Sequence, residues 1–238
     1  MEFRVISIGA MAANELWGER EITRTGHATT TLIESTSSTE GPGSGSPVRL
    51  LVDPGLPESA IAARLAERTG LEPGDVTHVF LTSFRPEVRR GIGAFDQAQW
   101  LISSAEREGV GVPLAQGLQR LAQNFEEPDA ETQRVLQADI ALLQKCTPAP
   151  DRIADGVDLF PLPGVTPGLT GLLLTGAQTT LVCGDAIPTE KHLRDGRVPG
   201  RAENYDQAME SFREAVEIAD LLILGRDNLV VNPTKRPF

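Results

Sequence analysis

Positive charge is the first thing this sequence is short of. Its 238 residues carry 22 Lys and Arg against 33 Asp and Glu, a formal net charge of -11. Nucleic-acid binding rests largely on Lys and Arg that neutralise phosphates, so no nucleic-acid partner is expected. Cysteine is scarcer still: Cys146 and Cys183 stand far apart, too few for a disulfide framework and without CxxC spacing. Free thiols and a cytoplasmic location are the expectation. Nor is there an apolar run long enough to span a bilayer, and the opening stretch MEFRVISIGAMAANELWGE has an acid at Glu2 and no signal-peptide core. We therefore expect no membrane partner. A chain of this length can bury a sizeable core without staples, and one domain over 1–238 is expected.

What is present reads as short strands interrupted by helices. Phe3, Val5, Ile6 and Ile8 suggest a first strand, and the β-branched stretch 22–34 a second one paired with it. Residues 36–47 are rich in Ser, Gly and Pro and read as a hairpin tip before the strand 48–52. That strand ends in Asp53-Pro54-Gly55. A helix over 58–69 follows, with Ile61 and Leu65 one turn apart and Gly70 as its stop. Strands are expected again at 76–82 and 100–103. The character changes over about 105–153, where Leu114, Leu118, Leu121 and Phe125, and after Pro128 Leu136, Ile140 and Leu143, recur at helical spacing. This is a helical insertion, read as a hairpin of two helices. Strand texture returns at 157–160, 171–174 and 179–183. Asn204 and Gln207 then open a helix with the stripe Tyr205, Met209, Phe212 and Val216, before a buried strand at 221–224.

The stretch the chain is organised around is LTSFRPEVRRG, 81–91, where an apolar strand empties into a polar loop. Hydrolase metal sites converge imidazoles and carboxylates at such a strand end, and histidine is what this loop lacks. Of Ser83, Arg85, Glu87 and Val88, only Glu87 offers a carboxylate.

Taken in order, HATTTLIE, LLVDPG, FLTSFRPEVRRGIG, VTPGLTG, VCGDAIPTEKHL and LILGRDN resemble the landmarks of the metallo-β-lactamase superfamily across nearly the whole chain. The resemblance implies an α/β fold, a four-layer αββα sandwich with its site at one edge of the two sheets. That family's His-x-His-x-Asp-His loop falls on Ser83, Arg85, Glu87 and Val88. Its next histidine falls on Leu169, its bridging aspartate on Asp185 and its last histidine on Arg226. Of the matched positions, Glu87 and Asp185 alone carry a metal-binding group. The three histidines, His27, His78 and His192, lie off the ligand positions and read as structural.

Two carboxylates facing each other without a cation repel, and a guanidinium beside them can do the electrostatic work of a metal ion. Arg85 and Arg226 are thus expected to pair with Asp185, Glu87 or both. The leading expectation is a non-catalytic pseudoenzyme that uses no cofactor and acts by binding. Its partner would be a small anionic ligand gathered by Arg85, Arg89, Arg90 and Arg226, or a second copy or metal-bearing relative docked on the helical insertion. The alternative is a working metal-dependent hydrolase of unknown substrate, its zinc or other divalent metal held by displaced ligands among Asp53, Glu87, Asp185 and His192. A third, Ser83 as a nucleophile without metal, lacks a nearby histidine base in sequence.

Overall fold

The computed structural model describes residues 1–37, 45–123 and 130–235. Two six-stranded sheets face each other. The first is built from β1 (Glu2–Ser7), β2 (Thr30–Thr36), β3 (Pro47–Val52), β4 (His78–Leu81), β5 (Gln99–Ile102) and β6 (Thr147–Pro148), in that spatial order. The second runs from β7 (Arg152–Ala154) through β8 (Val157–Pro161), β9 (Thr170–Leu174), β10 (Thr180–Val182) and β11 (Leu221–Ile223) to β12 (Leu229–Val231).

Strand periodicity explains the layering. Leu50, Val52 and Phe80 point into the core between the sheets, where Leu172, Leu174, Val182 and Ile223 meet them. Their neighbours Leu51, Val79 and Leu81 point the other way, towards helix α1 (Glu58–Thr69). Successive side chains of a strand alternate faces, so strands apolar on both faces require cover on both. On the first sheet the cover is α1 together with α3 (Ser104–Gln123) and α4 (Ala130–Lys145), whose Leu114, Leu142 and Leu143 join that core. On the second sheet it is α5 (Glu190–Asp195) and α6 (Tyr205–Ile218), through Leu193, Ala208, Phe212 and Ala215. The αββα sandwich expected from the sequence is the architecture observed.

Chain direction positions the site. β3 and β4 are parallel, as are β10 and β11, so their carboxyl ends emerge together on one edge of each sheet. The edges are stitched by Thr170 N donating to Thr82 O at 3.0 Å and Thr29 N donating to Gly225 O at 2.8 Å.

Several local expectations shift. The second strand starts at Thr30, and His27 makes only an isolated bridge to Ala10. Tyr205 leaves the α6 stripe and is half exposed, whereas Phe212 is buried, because Tyr205 occupies the first, solvent-facing turn behind its Asn204 cap. The strands β6, β7 and β12, two or three residues each, are too short to show a period in the sequence. Residues 38–44 of the expected hairpin tip, together with Phe125 and Pro128, lie outside the described residues.

Candidate functional site

Four strand ends deliver the polar centre. Asp53 follows β3, Thr82 and Ser83 follow β4, Asp185 follows β10, and Arg226 follows β11. The tight crossing of the last two turns demands glycine: a Cβ on Gly225 would lie 2.3 Å from the Gly184 carbonyl oxygen, and Gly184 itself has φ 53°.

Arg226 and Asp185 form a fork. Arg226 Nε donates to Asp185 Oδ1 and Nη2 to Oδ2, both at 2.7 Å, with only 7% and 6% of the two side chains exposed. Arg85, at the start of α2 (Pro86–Arg89), brings Nη1 to 3.5 Å from Asp185 Oδ2 and donates from Nη2 to the Val165 carbonyl at 3.0 Å. Burial alone would raise the Asp185 carboxyl, but Arg226, with help from Arg85, outweighs it and holds the group below the usual carboxylate range. Arg226 is the mirror case: burial works against its charge, and Asp185 more than restores it, so its pKa is raised. Glu87 and Asp53 add to the field that favours this cation.

Asp53 sits under this pair in a left-handed conformation, φ 54°. Its Oδ1 accepts from Thr82 N at 2.8 Å and its Oδ2 from Thr82 Oγ1 at 2.7 Å. Those bonds lower its pKa, yet burial dominates and Asp185 adds repulsion, so the carboxyl is pushed up to about 7. The two aspartates are thus driven apart in acidity, Asp185 charged and Asp53 titrating near neutrality.

The remaining matched positions are placed as follows. Ser83 is fully buried and its Oγ has no hydrogen-bond partner among the described residues, so none of their bases touches it. Val88 packs into the core beneath the first sheet and Leu169 into that beneath the second. His192 is buried on α5 with Nδ1 2.8 Å from Thr189 Oγ1, and burial lowers its pKa against the pull of Glu15 and Asp185. His27 Nε2 lies 3.1 Å from Ile8 O, and His78 Nδ1 2.8 Å from Thr77 Oγ1. Arg89 does not reach the centre: Nη2 bonds Asp139 of α4 at 2.5 Å, Nε donates to Phe84 O, and the guanidinium lies 4.2 Å from the Phe84 ring centre. Arg90 is exposed.

The fold family implies a metal at this edge, so the donors here must be weighed against one. Both Asp185 oxygens are taken by a guanidinium and both Asp53 oxygens by Thr82. Among the described residues no three His, Cys, Asp or Glu side chains gather as a metal would require. In this arrangement the described residues do not fit the ion.

One polar group that the sequence does not single out organises the loops. Glu106, in the first turn of α3 and almost fully buried, accepts from Phe84 N at 2.9 Å, Thr166 Oγ1 at 2.7 Å and Gly168 N at 3.1 Å. It ties the 81–91 loop to the 164–170 loop. In sequence it looks like any acid opening a helix. Beside it lies a cavity of about 400 Å³ whose walls include Phe84, Arg85, Val110, Leu114 and Pro167.

No protein-family model matches this chain, and no curated protein does. Solved structures do match. A Staphylococcus aureus protein assigned as a metal-dependent hydrolase superposes with a TM-score of 0.66 at 14% identity, covering 97% of this chain and 91% of that one. A Thermotoga maritima protein assigned to the metallo-β-lactamases gives 0.64 at 16% identity, covering 97% and 98%. AidC, a dizinc quorum-quenching lactonase, gives 0.61 at 14% identity, covering 86% and 75%.

With its two stacked sheets, helices on both outer faces and a polar centre at the shared strand edge, this is a protein of the metallo-β-lactamase fold. The expectation that it uses no cofactor is corrected by these neighbours: they are described as dizinc or metal-dependent, which points to a metal cofactor for this fold. Among the described residues no helix is long and apolar enough to cross a membrane.

Proposed function

We propose that the ionic centre of this metallo-β-lactamase-fold protein works by binding, with Asp185, Arg226 and Arg85 holding the site loops and a small anionic ligand seated beside them. The observation that carries this reading is the 2.7 Å fork, in which both oxygens of Asp185 are committed to Arg226. A guanidinium offers no coordination position at which water becomes hydroxide. It does offer donors for an anion: Arg85 Nε and Arg226 Nη1 make no hydrogen bond among the described residues.

A second reading is a metal-dependent hydrolase, and the structural neighbours favour it. It draws its ligands from Asp53, Glu87, Asp185 and His192 and requires Arg226 to swing off Asp185. Elemental analysis of the dialysed protein, paired with hydrolysis assays on lactones, thioesters and phosphodiesters, separates the two. Turnover quenched by chelators and lost in Asp185→Ala, with stoichiometric zinc, iron or manganese, establishes the hydrolase. Absence of turnover at any metal content, with anion binding that weakens in Arg85→Gln, establishes the binding role.

A further inference from the structure

The cavity beside the ionic centre has an asymmetric lining. Phe84, Val110, Pro113, Leu114 and Pro167 give it an apolar wall, and two of its charged groups pair with each other while a third is bound by loop donors. Arg89 is bound to Asp139, and Glu106 accepts from three donors. Arg85 is the exception. Its guanidinium is held in place by Asp185 and the Val165 carbonyl, while Nε remains undirected and about a third of the side chain is exposed. Glu203 lines the same cavity from an exposed position.

From this arrangement we infer that the cavity binds a monocarboxylate with a short unbranched apolar tail, its head on Arg85 and its tail against Phe84, Val110 and Leu114. A fixed guanidinium next to an apolar wall matches such an amphiphile at both ends, since Arg85 Nε offers a charged donor to a carboxylate oxygen and the tail replaces water on the wall. Glu203, a carboxylate on the same lining, adds repulsion to any second negative group on the ligand. The inference rests on the binding role proposed above and adds the identity of the ligand class.

The test is isothermal titration of the protein with acetate, butyrate, octanoate, octanedioate and octylamine. Octanoate is expected to bind saturably, with affinity rising roughly fourfold for each methylene buried between acetate and octanoate. Octanedioate and octylamine are expected to bind at least tenfold more weakly than octanoate. Arg85→Gln should weaken octanoate at least tenfold, and Glu203→Gln, an exposed change that leaves the fold alone, should tighten octanedioate. Equal binding of octylamine and octanoate, or octanoate binding indifferent to Arg85→Gln in a variant with unchanged circular dichroism, overturns the inference. Anion binding that depends on Arg85 but ignores tail length overturns the ligand class and leaves the binding role standing. No saturable binding of any anion overturns both.

Discussion

Replacing Asp185 with alanine is the sharpest perturbation, because it leaves Arg226 charged, 8% exposed and without its fork partner. Two unit charges about 4 Å apart at an effective dielectric near 20 attract by about 4 kcal/mol. Breaking a buried pair by deleting one member typically costs about 3 to 5 kcal/mol, since the surviving charge stays desolvated. Arg85, the second cation on the same carboxylate, then faces Arg226 without the charge that separated them and adds repulsion. We therefore expect Asp185→Ala to lose about 3 to 5 kcal/mol, read as a lower urea midpoint at unchanged slope, or as a melting point lower by roughly 6 to 20 °C for a chain of this size. The double variant Asp185→Leu with Arg226→Met should recover most of the loss, as an apolar pair of similar volume removes the buried charge altogether. The reasoning is refuted if Asp185→Ala costs less than about 1 kcal/mol, or if the double variant is as unstable as the two single variants combined.

Three further outcomes follow from the same geometry. Asp53 has a folded pKa near 7 against an ordinary 3.8, so the native state binds the extra proton between these values and stability falls as pH rises from about 4 to about 7, by up to about 4 kcal/mol. Asp53→Asn, which tolerates the left-handed backbone, should flatten that slope in urea titrations from pH 4 to 8; an unchanged slope assigns it to another group. Asp185, whose pKa is lowered, contributes the opposite way: its stabilisation is present above its unfolded value and fades as pH falls. Glu106→Ala strands the buried donors at Phe84, Thr166 and Gly168 and should cost about 3 kcal/mol or more, with faster amide exchange in both loops; exchange confined to α3 would contradict the clasp. Cys146 and Cys183 are buried, and burial pushes both thiols up, Cys146 to about 11, so neither should react with a thiol reagent at pH 8 until urea unfolds the chain.

What the sequence by itself determined was local and periodic. The alternation of apolar residues in LLV and VFL, the Gly70 stop of α1 and the Asn204 cap of α6 are visible because strand and helix periods and caps act over a few residues. The family resemblance of the strand-end motifs set Arg226 against Asp185, Glu87 or both; the structure makes the partner Asp185, forty-one positions away in the chain. Tertiary structure alone decided the rest. That Arg226 takes both oxygens of Asp185 while Arg89 turns away to Asp139 depends on where α4 lies, which no neighbouring residue in the chain encodes. Glu106 becomes the clasp of two loops, and Asp53 an acid that titrates near neutrality, only once the sheets close over them and remove water. Desolvation and hydrogen bonding across sixty positions belong to the packed molecule.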